Sequence, residues 1–551
     1  MAVTEISRAA GADEAAATLS EGGAPHPGRP APTGLAAVLA NGDHKTTGRL
    51  FIGFSFLFLV VAGVAGGLVG VEKIDAGELQ ILSDESLIAA FSLHGVAAVF
   101  LFLLPLILGL AIYVVPLQVG ASTVAFPRAA TAAFWTWLLA GGLLVASYAI
   151  DGGPGGTDRD GVLLWLTAFG AVVIALALAT VCVTATALTL RGDGMRLDRV
   201  PLFAWSVLAA GTIWLLSLPV LVGGIVLLWL DVRYGVGLLT SGGGIYGDLV
   251  WALLPPQLFA FVVPALGIAA DVVPVFARSP LARRDVLVGL LGAAAALGFG
   301  AWVFILPEAP ELPEQALFVG VAVALLVALF GLTGGVADAM RRGRLSLAPP
   351  VLGGVLGLLL VLGGAAAGAF GALPFNDLLS TTWFAGVGHL VLGGAVVILL
   401  GGVYYWAPKI WGRVLADGSG RFAMLAAAGG VALLALPDLI TGAQGQDARL
   451  PVSQSVESSW DALNAVSLAG GGLLVLAVLL VLVSLAGAVA GRDHDPAPDD
   501  PWGGHTLEWS TSSPPPIGNF PEPPSVTSAT PLLDRIGAGA EAGAATEAAT
   551  S

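Results

Sequence analysis

The chain carries six histidines and one cysteine in 551 residues, and these few side chains bound the chemistry open to it. His26, His44, His494 and His505 lie outside the long apolar runs, whereas His94 and His389 sit within them. An ionisable group in an apolar run is costly to bury and points to a function with a partner. Imidazole is also the usual axial ligand of haem iron, and two imidazoles on facing helices hold one macrocycle between them. Gly95 follows His94, and Gly386 and Gly388 precede His389, so the backbone is bare where a flat ring would approach. A plainer reading fits the same residues, in which each histidine hydrogen-bonds a neighbouring helix. Spacing alone does not choose between them. Cys182, inside an apolar run, reads as a small buried hydrophobe, and a single cysteine excludes both a disulfide framework and a CxxC metal site.

The elements that must position these histidines follow from composition. With 56% hydrophobic and 11% charged residues and a mean hydropathy of +0.88, the chain has too little polar surface for a water-soluble globule of its size. Apolar stretches recur at about 50–71, 88–117, 130–150, 162–190, 201–230, 248–276, 285–306, 315–340, 349–373, 381–407, 421–441 and 464–490. Each is long enough to cross a hydrocarbon layer of about 30 Å. Lipid offers no partner to exposed amides and the runs lack a barrel's alternation, so they are expected to be helices.

Twelve spans put both termini on one side. Thirteen bases lie in one set of alternate loops: Arg128, Arg191, Arg196, Arg199, Arg278, Arg283, Arg284, Arg341, Arg342, Arg344, Lys409, Arg413 and Arg421. The opposite loops hold only Lys73, Arg159, Arg233 and Arg449, which places both termini in the cytoplasm. The expected organisation is a disordered cytoplasmic N-terminal tail over 1–42 with no cleavable signal, a twelve-helix membrane domain over 43–491, and a polar cytoplasmic C-terminal tail over 492–551. The net charge of −15, without clustered Lys and Arg, argues against a nucleic-acid partner.

Several longer words resemble subunit I of the haem-copper oxidases, in the cytochrome c oxidase branch, over roughly residues 43–520. Asp43-His44-Lys45 opens the first span, Phe91-Ser92-Leu93-His94-Gly95 resembles F-T-M-H-G, and Pro116-Leu117-Gln118-Val119-Gly120-Ala121 with Ala125-Phe126-Pro127-Arg128 resembles P-L-Q-I-G-A…A-F-P-R. Tyr404-Tyr405-Trp406-Ala407-Pro408-Lys409 is similar to Y-Y-W-F-P-K. Pro501-Trp502, Thr506-Leu507-Glu508-Trp509, Pro514-Pro515-Pro516 and Asn519-Phe520 match the family's closing words. The resemblance implies an all-α polytopic twelve-helix bundle in the bacterial inner membrane, other respiratory oxidase-type subunits as partners, and a c-type cytochrome or similar electron carrier.

It also implies that His94 and His389 are the axial ligands of one low-spin haem. His389 takes this place in an ungapped match of Ser380–Leu392; a register shifted by one would put Gly388 there. The rest of the family's chemistry is missing by residue. The copper-binding H-P-E-V-Y reads Pro255-Pro256-Gln257-Leu258-Phe259, the H-H pair falls at about Val303-Phe304, and the high-spin haem ligand falls on Val387. None of these offers copper an imidazole. The family's proton-carrying positions fall on Thr123 and near Leu332, Asp271 and Asp338 lie toward span ends, and the propionate-binding arginine pair is absent, with Arg449 nearby. Three readings stand: an electron-transfer subunit with one bis-histidine haem and no copper, a cofactor-free structural or assembly paralogue, and a terminal oxidase that reduces oxygen and pumps protons. The spans show no charged midplane segment of the kind a transporter needs.

Overall fold

A computed structural model describes residues 41–74, 81–235, 258–300, 312–373, 376–378, 380–448, 458–490 and 496–534. Among them the long elements are α1 (His44–Glu72), α2 (Asp84–Val119), α3 (Pro127–Ser147), α4 (Arg159–Thr189), α5 (Leu202–Tyr234), α6 (Leu258–Ala277), α7 (Arg284–Gly300), α8 (Leu312–Arg342), α9 (Pro349–Gly371), α10 (Thr382–Trp411), α11 (Asp417–Ala443) and α12 (Asp461–Val489). All but α7 are long and apolar enough to cross a membrane. The all-α polytopic architecture is therefore as expected, and the described part of each expected span falls on one helix, with eleven of the twelve expected crossings long and apolar enough. Residues 1–40 of the expected 1–42 tail, and the positions Pro255 to Gln257, Val303, Phe304 and Arg449, lie outside the described residues.

Local chemistry sets the helix ends. The Asp43 carboxylate accepts from Lys45 N to start α1, Ser83 caps α2, Asp158 caps α4 and Thr381 caps α10. Gly120 and Gly412, both with left-handed φ (77° and 70°), end α2 and α10. Directly after His94, α2 widens into a π-turn over Ala97–Leu103. Such a turn frees a carbonyl from the regular ladder, and Trp137 Nε1 donates to Phe100 O at 3.1 Å within it.

The most enclosed helices are α2, α6 and α10; every residue of Leu104–Val119 is buried. Lipid gives no hydrophobic drive between helices, so close approach needs small residues. A Cβ on Gly353 would lie 2.8 Å from Gly401 Cα between α9 and α10, and one on Gly470 would strike Leu434 N between α11 and α12.

The basic loops gather at one end. Gly192 N donates to Val119 O (2.8 Å), Arg284 Nη1 to Asp198 O (2.6 Å) and Arg344 N to Ala277 O (2.8 Å), and Arg413 pairs with Pro496. The segment 496–534 closes this end and is no loose tail there: Leu507, Glu508 and Trp509 are buried, and Val526 N bonds Asp193 O. It lacks apolar periodicity because it binds by individual indoles, amides and carbonyls rather than by an apolar stripe.

Candidate functional site

Four helices bring the two intramembrane histidines into one region. His94 lies on α2 against α1, its Nδ1 2.9 Å from Ala62 O. A carbonyl only accepts, so Nδ1 carries the hydrogen and Nε2 keeps its lone pair. Gly66, one turn on from Ala62, makes room for the ring: a Cβ there would lie 2.5 Å from His94 Nδ1 and 2.7 Å from Cε1.

His389 is set by the pairing of α10 with α11. Thr382, Gly386 and His389 share one helix face by their spacing of four and three. Thr382 Oγ1 donates to Asp438 O (3.0 Å) and lies 2.9 Å from Thr441 Oγ1. Gly386 lets the helices touch, since a Cβ there would sit 2.9 Å from both Ala435 O and Leu439 Cδ2. Its bare backbone therefore serves helix packing rather than an approaching ring, unlike the sequence expectation. His389 Nδ1 then lies 3.1 Å from Asp438 Oδ2. An ionised carboxylate only accepts, so this imidazole also carries its hydrogen on Nδ1 and leaves Nε2 as the free lone pair.

Asp438 is 1% exposed and is also bound by Lys73 Nζ at 2.7 Å. Lys73 ends α1, where Asn464 Nδ2 of α12 holds its carbonyl at 2.8 Å. Sequence reading missed this pair: it placed Lys73 among loop bases and gave Asp438 no role. The available signal was an acid within a span, next to Pro437, where an unpaired carboxylate would be prohibitive.

The two histidines suit a metal-bound macrocycle. Both are half-buried, and a Cβ on Gly95 or on Gly388 would meet nothing within 4 Å. Each ring has its Nδ1 anchored by an acceptor, the arrangement that fixes tautomer and orientation in metal-ligating histidines. Val387, at the position of the family's high-spin ligand, is buried and apolar, and Leu332 is likewise packed in the core. Asp338 pairs with Arg341 and Arg342 near the end of α8. Asp271 caps α5 through Leu202 N (3.0 Å) and Phe203 N (2.9 Å), so it is held by backbone rather than freely hydrated.

Apart from Phe91–Gly95, words that carried the family resemblance meet one another at the opposite, basic end. Gln118 Nε2 and Trp406 Nε1 both donate to Glu508 Oε1, at 3.1 and 3.2 Å. Trp509 Nε1 donates to Tyr405 Oη (2.7 Å), and Lys409 Nζ donates to the carbonyls of Thr511 (2.7 Å) and Asp499 (3.0 Å). Asn519 takes a hydrogen bond from Lys45 Nζ and gives one to Ala121 O. These residues are a structural clasp. Burial above all, and then repulsion from Asp271, push the Glu508 carboxyl up to about 7, against hydrogen bonds from Thr506 and Gln118.

The fold and this clasp define a multi-pass membrane protein of subunit I type, and the comparisons name the family. Residues 46–473 match the model for cytochrome c and quinol oxidase polypeptide I. A Streptomyces avermitilis protein described as a cytochrome c oxidase subunit 1-beta is 30% identical over 95% of each chain. Cytochrome c oxidase subunit 1 of Corynebacterium diphtheriae is 30% identical, covering 92% of this chain and 94% of its own. A heme-copper terminal oxidase dimer solved by cryo-EM shares the fold at a TM-score of 0.61, with 14% identity over 81% of this chain and 84% of that one. The chain belongs to the cytochrome c and quinol oxidase polypeptide I family.

Proposed function

We propose that this chain is an electron-transfer subunit that holds one low-spin haem between His94 and His389 and has no oxygen-reducing haem-copper centre. The observation that carries this is the pair of imidazoles whose Nδ1 atoms are both engaged by acceptors, which leaves two Nε2 lone pairs for one iron. Bound there, the haem would supply a one-electron redox couple. The residues at the family's copper and high-spin positions offer no imidazole, which favours loss of the oxygen site. Other oxidase-type subunits and a c-type cytochrome or similar carrier are the partners this function requires. The excess of bases in one set of loops favours a cytoplasmic position for the clasped end and for both termini.

A second reading, a cofactor-free structural or assembly paralogue, is favoured by the clasp, which preserves family words that have no redox chemistry. A third, a terminal oxidase, rests on the activity in the relatives' names. A pyridine-haemochrome and metal assay on purified protein from a haem-sufficient host separates them. One haem and no copper, with loss of haem in His94→Ala and in His389→Ala, is the expected result. No haem supports the paralogue, and two haems with copper support the oxidase.

A further inference from the structure

The partners of the two imidazoles differ in charge. His94 Nδ1–H donates to a neutral carbonyl, whereas His389 Nδ1–H donates to a carboxylate that is 1% exposed and itself anchored by Lys73. An anionic acceptor on Nδ1–H raises the electron density of the ring and the basicity of its other nitrogen. A cation on the far side of the same carboxylate draws that density back. The Lys73–Asp438–His389 chain spans α1, α11 and α10, so three helices fix one electrostatic gradient along one hydrogen-bond line.

We propose that Asp438 and Lys73 are positioning residues that act in opposition through His389: Asp438 lowers the electron affinity of the iron that His389 ligates, and Lys73 limits that lowering. This rests on the haem reading given above. Neither residue touches the iron in this scheme, and both act through the Nδ1 side of one ligand. Low dielectric inside the bundle keeps a buried charge influential at such range. Lys73, at the end of α1, is about one-fifth exposed.

The test is an optical redox titration of the purified full chain, read on wild type, Asp438→Asn and Lys73→Met, with haem per protein measured in each. Asn keeps an oxygen that accepts from Nδ1–H but removes the charge, so the midpoint is expected to rise by about 59 mV, a tenfold change for a one-electron couple. Lys73→Met leaves the carboxylate uncompensated, so the midpoint is expected to fall by a similar amount. Electron paramagnetic resonance g-values, which report the axial ligand field, should move in opposite senses as well. A merely structural role would loosen the site in both variants and could not give opposite signs. Unchanged midpoints at full haem content, or shifts of the same sign, overturn the proposal. Should Asp438→Asn not fold, the sign of the Lys73→Met shift decides alone. Wild-type protein without haem would instead refute the haem reading, and this inference with it, before any variant is measured.

Discussion

Raising the pH through neutrality should loosen the segment 496–534, because its anchor is a buried acid that folds best when protonated. Glu508 is 0% exposed, and its carboxyl lies at about 7 in place of the ordinary 4.5. A folded value above the unfolded one means that the folded state binds more protons, so this contribution is complete below about pH 4.5 and is lost as pH rises through about 7. The shift corresponds to roughly 3.5 kcal/mol at about 1.4 kcal/mol per unit, or about 300-fold in the opening equilibrium. His505, in the same segment, works the other way: burial lowers its value from 6.5, so its contribution is present above 6.5 and is lost as pH falls below it. Between about pH 6.5 and 8 His505 therefore does not oppose the Glu508 effect. Hydrogen exchange of residues 502–511 in detergent, corrected for intrinsic rates, should accelerate over that window in wild type and stay flat in Glu508→Gln, whose amide keeps an acceptor for Gln118 and Trp406. Equal pH dependence in the two proteins would sink the argument that Glu508 is the titrating anchor.

Three further substitutions probe the geometry. Gly66→Ala puts a Cβ 2.5 Å from His94 Nδ1; the ring must swing away and lose a bond worth about 1 kcal/mol, so haem affinity should drop about fivefold, and wild-type affinity would argue against this placement of His94. Gly386→Ala should part α10 from α11, with a thermal stability loss of about 1–3 kcal/mol and a weakened His389–Asp438 bond; an unchanged melting temperature would contradict the contact with Ala435 O. Lys409→Met strands the carbonyls of Asp499, Thr511 and Ser512 and should cost about 2–3 kcal/mol, visible as faster proteolysis within 496–534; resistance equal to wild type would show that Lys409 is not a clasp residue.

Composition and run length by themselves determined the helical membrane bundle, because lipid admits no other way to satisfy the backbone over such apolar stretches. They also pointed to the gathering of basic loops at one end, and single intramembrane residues flagged His94 and His389, since charge in lipid is rare enough to stand out. Tertiary structure alone decided what these residues meet. Gly386 proved to be a packing residue because its neighbour is α11, a fact that no spacing along α10 contains. Asp438 acquired its place only when α10 and α11 lay side by side, and Lys73 only when the end of α1 reached the same carboxylate. The closing words of the chain showed their purpose in the same way: Glu508, Trp509 and Asn519 are polar or aromatic residues without periodicity, and their partners, Gln118, Trp406, Tyr405 and Lys45, lie about 100 to 470 positions away. Local sequence records the cost of placing a group in lipid, and only the fold supplies the partner that offsets it.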